Sequence, residues 1–372
     1  MRIACDARPL LGARTGVGVW LEGLLRGLAE RTDWELVLCL PRRETALGLD
    51  DLGARAAVLA PPVPEPGTIW LNTLAGPLLS GRADAYLATL GILPRRLEVP
   101  AVLMVHDLTP RTRPRQHTLA NRFCFNAYLE GSLGVADEVV CLSRATRDRL
   151  AEVWPQQARR AHVIGAGVDA FFTPDAAGGE AAATSRRFAA GRPYVVQLGT
   201  LEPRKGLATL LEAHGLLLAR PGGAPDLVLA GRTGWGGRWL ERALAAHPDR
   251  DRVHLPGYVG RDDARALLRH AEVVVVASEE EGFGLPLAQA LACGAACVIS
   301  DAAALVEVAG GAAVTVATGD PRALAAGIAE ALTPSRQAEL QRLALDRGRR
   351  LGWDGPLESW RSLLADLASA SH

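Results

Sequence analysis

The run Ser278-Glu279-Glu280-Glu281-Gly282-Phe283-Gly284-Leu285-Pro286 sets three carboxylates at the end of an apolar stretch, then two glycines, then a proline suited to the first turn of a helix. A helix that starts here directs its open N–H groups at whatever binds, which makes an anion site fit for a diphosphate. Acids beside an anion make sense if Glu281 accepts hydrogen bonds from sugar hydroxyls while Phe283, Gly284 and Leu285 bring backbone amides to phosphate. Glu279 and Glu280 fit a solvated acidic loop. A second stretch, Gly199-Thr200-Leu201-Glu202-Pro203-Arg204-Lys205-Gly206, puts two cations between a strand end and a helix start. Cations there oppose the helix dipole unless an anion compensates, so Arg204 and Lys205 are expected to clamp the diphosphate and steady its charge as it leaves. Lys205 is the only lysine among 41 basic residues. A compact ammonium differs from a guanidinium in reach, hydration and geometry.

Two further groups are weaker. His106-Asp107-Leu108-Thr109-Pro110 closes another apolar run, and His106 is expected to donate a hydrogen bond to the sugar or the reacting centre, with Asp107 as support. A lone histidine of this kind more often satisfies a structural need. Thr15-Gly16-Val17-Gly18 forms a glycine-rich loop before a helix expected over Val19–Ala29. It lacks the third glycine of the dinucleotide fingerprint, since Leu21 stands there.

These groups need elements to hold them. Short apolar runs alternate with helical patterns along the whole chain, which argues for parallel sheets covered by helices. Strands are expected at Ile3–Ala7, Leu36–Leu40, Ala56–Leu59, Ala85–Ala88, Ala101–His106, Glu138–Leu142 and His162–Ile164. The rhythm breaks over the Ala/Gly/Pro/Ser-rich stretch before Arg192 and restarts with Tyr194–Leu198, Leu227–Ala230, Val253–Leu255, Val273–Ala277 and Ala296–Ser300. Val273–Ala277 reads as a strand buried on both faces. The expected architecture is α/β, two doubly wound sheets facing a cleft, with ligand at the carboxyl ends of the strands. The domains are expected at 1–175 and 192–350, joined by a linker at 176–191.

Composition narrows the function classes. The 372 residues suffice for two cores, and Lys+Arg and Asp+Glu both total 41, so no net field draws the chain to nucleic acid. The six cysteines form no metal-ligand pairs and read as buried thiols of a reducing compartment. With no apolar leader or membrane-length run, a cytoplasmic protein is expected. Arg111, Arg113, Arg115 and Arg122 form a basic stretch beside Phe123, Phe125 and Tyr128. It would suit an anionic lipid carrier or a peripheral membrane contact, and a solvated loop and helix face fits it equally.

The stretch from Glu281 through Gln289 to Cys293-Gly294 resembles the signature of the family 4 retaining glycosyltransferases, whose pattern is Glu-Gly-Phe-Gly-Leu-Pro, a second Glu eight positions after the first, then Ala-x-Ala-x-Gly. The chain matches throughout except that Gln289 replaces the second Glu. Gly199–Gly206 is similar to the family's Gly-Thr-x-x-Pro-Arg-Lys-Asn, with Gly206 for Asn, and His106-Asp107 to its His-Asp. The likeness implies the GT-B fold, two Rossmann-like domains, and a last helix (354–372, with Trp353 before it and Trp360 within it) that crosses back onto the N-terminal domain.

For the site, the resemblance implies that Glu281 binds the donor sugar, Gln289 the ribose hydroxyls, Arg204 and Lys205 the diphosphate, and His106 the sugar. Gly16 and Gly18 become secondary contacts near the donor phosphate, and backbone near Val259 meets the base. An amide at Gln289 lacks the charge-assisted strength of a carboxylate, so weaker nucleotide affinity or a site altered beyond catalysis are both open. The resemblance is nearest to bacterial mannosyltransferase-like members that build polysaccharide or lipid-linked glycans. It implies transfer of a hexose with retention from GDP-mannose, or alternatively from a UDP-sugar, to a glycan or lipid-linked acceptor. No metal and no cofactor is expected, the nucleotide sugar being a co-substrate. The competing readings are a nicotinamide dehydrogenase, disfavoured by the missing glycine, a sugar-nucleotide epimerase, and a non-catalytic sugar-nucleotide binder, which Gln289 alone supports.

Overall fold

The computed structural model describes residues 1–43, 47–61, 70–114, 119–175, 180–234 and 238–369, with the backbone alone for 54 and 119–125. Seven parallel strands make the first sheet: β1 (Arg2–Asp6), β2 (Glu35–Cys39), β3 (Ala56–Leu59), β4 (Ala85–Ala88), β5 (Ala101–Val105), β6 (Glu138–Cys141) and β7 (Ala161–Val163). Their spatial order is β3-β2-β1-β4-β5-β6-β7. Six parallel strands make the second: β8 (Tyr194–Leu198), β9 (Asp226–Ala230), β10 (Val253–Gly257), β11 (Val273–Val276), β12 (Cys297–Ser300) and β13 (Val314–Val316), in the order β10-β9-β8-β11-β12-β13. All five residues of β5 and all four of β11 are buried, as continuous apolar strands covered on both faces must be. β13 and the helix Ala303–Ala309 add to the elements read from the sequence. Both are too short to show a period, Val-Thr-Val in the strand and Ala-Ala-Leu-Val-Glu-Val-Ala in the helix.

Contacts divide the chain into two units, Met1–Gly167 with Trp353–His372, and Val168–Gly352. Residues 168–175, given to the first domain on sequence, and the described part of 176–191, expected as linker, thus lie in the second unit. The reason is packing. Phe172, Thr184, Phe188 and Ala189 are buried, Arg261 and Arg265 lie over the Phe171 ring at 4.4 and 3.8 Å, and Arg187 pairs with Asp263 at 2.5 Å. The stretch includes the helix Ala181–Phe188.

The helix Asp354–Ser369 belongs to the first unit. Trp360 is fully buried, its ring 6.1 Å from that of Trp20 on the helix Gly16–Arg31. Just before that helix, Trp353 lies so close to Gly23 and Gly167 that a Cβ on either would come within 2.4 and 2.3 Å of the indole. Glycine at both places is what admits the ring.

Candidate active site

In a doubly wound sheet a crevice opens at the carboxyl edge where the strand order reverses. In the second sheet that point lies between β8 and β11, and the loops leaving these strands carry Arg204, Lys205 and Glu281. The β8 loop is pinned from several sides. Gly199 approaches Gly231 so closely that a Cβ on Gly231 would be 1.9 Å from the Gly199 carbonyl oxygen. Leu201 bridges Thr233, and Pro203–Lys205 form one tight helical turn that ends on Gly206 at φ +68°. A Cβ at Gly206 would sit 2.0 Å from the Ala277 carbonyl oxygen, so at this position the left-handed backbone and the close approach both demand glycine. The Glu279 amide donates to the Arg204 carbonyl at 2.9 Å, which ties the β11 loop to the β8 loop.

Three charges meet where the loops join. Lys205 Nζ lies 2.5 Å from Glu281 Oε1, Ser278 Oγ donates to the same oxygen at 2.7 Å, and Arg204 Nη1 stands 3.8 Å from Oε2. Arg204 Nε also donates to Glu202 Oε2 at 2.9 Å. Burial opposes ionisation of Glu281, but the Lys205 and Arg204 charges and the hydrogen bonds from Lys205 and Ser278 overcome it and hold the carboxyl below its usual range. Glu281 is therefore an anion at neutral pH. Its side chain keeps only 9% of its surface, and those of Arg204 and Lys205 keep 17% and 13%.

The helix Leu285–Ala292 starts from Gly284 at φ +92°, where a Cβ would strike Leu305 Cδ2 at 2.5 Å. Its first backbone bond runs from the Ala288 amide to the Gly284 carbonyl at 3.1 Å, so the amides before Ala288 stand outside the helical ladder. Phe283 is buried and Leu285 half-buried beside them. Gln289, one turn on, is 8% exposed, and its side-chain amide makes no hydrogen bond to a described residue. Val259 is half-buried in the short turn between β10 and the helix Arg261–His270.

His106 belongs to the first unit, one residue past β5. Its Nε2 lies 2.7 Å from the Thr89 carbonyl oxygen, and the Thr89 hydroxyl donates to the Asp6 carbonyl at 2.6 Å, so the ends of β1, β4 and β5 are laced together. A carbonyl only accepts, which places the ring hydrogen on Nε2. Burial lowers the His106 pKa, against the opposite pulls of the Thr89 bond and Asp107, and the neutral ring offers Nδ1 as an acceptor. The donor expected on sequence is committed to Thr89. Asp107 Oδ1 accepts from the Thr109 amide and hydroxyl at 2.9 and 2.7 Å, a turn-forming role.

The glycine-rich segment is not a loop. The helix begins at Gly16, three residues before its expected start, and Gly16 and Gly18 lie in its first turn. A Cβ on Gly18 would be 2.5 Å from the Pro9 carbonyl oxygen, which accounts for that glycine by packing, whereas Gly16 faces open space.

Two family models match the chain, one described as Glycosyltransferase Family 4 over residues 14–170 and one as Glycosyl transferases group 1 over residues 192–334. The chain belongs to the family 4 glycosyltransferases. Relatives of this glycosyltransferase include the O-antigen chain mannosyltransferase B of Escherichia coli, 27% identical over 70% of this chain and 69% of that one. The D-inositol 3-phosphate glycosyltransferase of Salinispora tropica is 34% identical over 59% of this chain, but the match spans only 48% of its own length. Among solved structures, Anabaena HepE in complex with UDP and glucose superposes with a TM-score of 0.76 at 18% identity, covering 98% of this chain and 100% of that one. The sucrose-phosphate synthase of Thermosynechococcus elongatus gives 0.79 at 19%, covering all of both chains. The fold is GT-B.

Of the residues singled out on sequence, the structure brings Glu281, Arg204 and Lys205 into one cluster, with Phe283, Gly284, Leu285 and Gln289 on the same loop and helix. His106, Gly16 and Gly18 lie in the other unit. Arg111 stands 6.0 Å over the Trp154 ring. Arg115 lies outside the described residues, as do the side chains of Arg122, Phe123 and Phe125. No described helix is long and apolar enough to cross a membrane. Sequence reasoning assigned no role to Ser278, nor to Gln197, whose amide donates to the Lys205 carbonyl at 2.9 Å. Gln197 had a signal, since it is a lone polar residue inside an apolar strand.

Proposed function

We propose that this glycosyltransferase moves a hexose, mannose in the first instance, from a nucleoside-diphosphate sugar to a glycan or lipid-linked acceptor with retention of configuration. The reading is carried by the meeting of Lys205, Arg204 and Glu281 at the switch point of the second sheet: two cations for a leaving diphosphate beside one oriented carboxylate for sugar hydroxyls. Phe283, Gly284 and Leu285 place backbone at the phosphates, Gln289 takes the ribose hydroxyls, backbone near Val259 meets the base, and His106 accepts from a sugar hydroxyl through Nδ1. Arg204 and Lys205 supply the positive charge that the departing diphosphate needs, without calling on a metal ion.

With Glu281 assigned to the sugar hydroxyls and Glu202 bound to Arg204, no carboxylate is assigned as the nucleophile of a double displacement. The acceptor oxygen attacks the anomeric carbon from the face the diphosphate leaves. The C–O bond to phosphate breaks as the new one forms, and the leaving phosphate oxygen takes the acceptor proton. GDP-mannose is the first reading, its sugar supported by the mannosyltransferase relatives. A UDP-sugar is the second reading, supported by the HepE complexes with UDP and UDP-glucose. Free, buried Cys5, Cys39, Cys141, Cys293 and Cys297 suit a reducing, cytoplasmic setting.

A thermal-shift screen of GDP, UDP and ADP, alone and as sugar conjugates, tests the donor, because a ligand of the folded state raises the melting temperature by mass action. The stabilising conjugate is then given to acceptor glycans and the product's anomeric configuration read by NMR. Melting unmoved by every nucleotide, or a glycosyl group trapped on a specific side chain, overturns the respective half of the proposal.

A further inference from the structure

We propose that Glu281 is also an internal competitor of the diphosphate, so that the carboxylate which receives the donor's sugar weakens the hold on the bare nucleotide product. This rests on the donor-site reading above.

Glu281 pairs with the cations that a diphosphate would use, with Lys205 Nζ at 2.5 Å and Arg204 Nη1 at 3.8 Å. Glu202 takes a second share of Arg204 through Nε at 2.9 Å. Two cations thus face two carboxylates and the cluster has no surplus positive charge. A diphosphate entering it meets a fixed anion at close range in a site where little water screens the repulsion. Glu281 is not placed to swing aside. Its Oε1 is held by the hydroxyl of fully buried Ser278 at 2.7 Å, and the Ser278 carbonyl is held in turn by Ser300 Oγ at 2.5 Å.

A donor sugar changes the balance. Its hydroxyls donate to Glu281 and stabilise that charge, which leaves the remaining N–H groups of Lys205 to turn to phosphate. Once the sugar has been transferred those donors are gone, and the carboxylate again opposes the diphosphate and claims Lys205. The same residue thereby selects the loaded donor and hastens loss of the spent one.

Isothermal titration of GDP, UDP and inorganic pyrophosphate, and of the matching sugar nucleotides, into wild type, Glu281→Gln, Glu281→Ala and Lys205→Met tests this. Both Glu281 variants should bind the bare diphosphates tighter, on the order of tenfold, with the gain shrinking as salt is raised. The sugar nucleotide should gain nothing, so the preference for it collapses. Glu281→Ala keeps the test intact if the glutamine variant does not fold. Bare-diphosphate affinity unchanged or weaker in the folded Glu281 variants overturns the inference while leaving the donor site standing. Lys205→Met must weaken every diphosphate; if it does not, the donor-site reading itself fails. Diphosphates that bind neither wild type nor variants overturn both.

Discussion

Two carboxylates in the second unit, at opposite edges of the same sheet, are each surrounded by cations. Asp226 opens β9 at the amino edge with none of its side chain exposed. Arg192 Nε donates to Oδ2 at 2.8 Å, His254 Nε2 to the same oxygen at 2.6 Å, and Arg252 Nε to Oδ1. Despite burial, those three hydrogen bonds hold Asp226 below the usual carboxylate range. The cations are committed further: Arg192 also donates to the Asp251 carbonyl and Arg252 to that of Ala224. Glu281, at the carboxyl edge, is an anion for the same kind of reason, yet its Oε2 has Arg204 only at 3.8 Å, beyond hydrogen-bond reach. Charge and burial do not separate a structural carboxylate from a binding one. Saturation does. Asp226 has spent both oxygens, whereas Glu281 has one to give.

Substitutions at the two carboxylate clusters separate their roles. Asp226→Ala leaves two arginines and a histidine without their anion and should cost about 3–5 kcal/mol in urea unfolding, with turnover per folded molecule retained. Because Asp226 titrates lower in the folded chain than in the unfolded one, its contribution is full above the unfolded carboxylate range and fades as pH falls through the folded value. The stability gap between wild type and Asp226→Asn should therefore close on acidification. Lys205→Met should lower kcat by about 10²–10³-fold, the usual cost of losing one charge-stabilising donor at a reacting group, with a smaller loss of stability than Asp226→Ala because Arg204 and Ser278 still face Glu281. Unfolding by Lys205→Met, or loss of turnover in folded Asp226→Ala, would reverse the two roles.

Smaller effects follow. Gly206→Ala forces a Cβ onto the Ala277 carbonyl and a side chain into left-handed backbone, so it should cost roughly 1–3 kcal/mol and raise KM for the donor as Lys205 shifts. Gln289→Glu should tighten nucleotide binding by about 1 kcal/mol, the gain from a neutral to a charge-assisted hydrogen bond. Calorimetry that shows no change would take the ribose away from this residue.

What was legible in the sequence was whatever depends on near neighbours. The valine run of β11, the glycines and proline after Glu281 and the solitary lysine each announce themselves within a few residues. The first turn of the helix from Gly16 did not, because two glycines suppress the helical pattern there and the reason for Gly18 is the Pro9 carbonyl beneath it. The stretch 176–191 reads as linker because its composition is small and polar, whereas Thr184 and Phe188 are buried in a unit that includes the helix Arg261–His270 some eighty residues on. The tautomer of His106 is set by Thr89, and the orientation of Glu281 by Ser278, whose hydroxyl is unremarkable in a list of residues. Long-range partners decide those details, and no local pattern records them.

The pairing of Trp20 with Trp360 bears on how the molecule is made. The first unit's core receives Leu357 and Trp360 from the helix Asp354–Ser369, which follows the whole second unit. On the ribosome, residues 168–352 are complete as a folding unit before the earlier-made residues 1–167 acquire their last wall. The unit begun first is thus finished last. Until then the surface around Trp20, Gly23 and Gly27, which Trp353, Leu357 and Trp360 cover in the folded unit, has no cover.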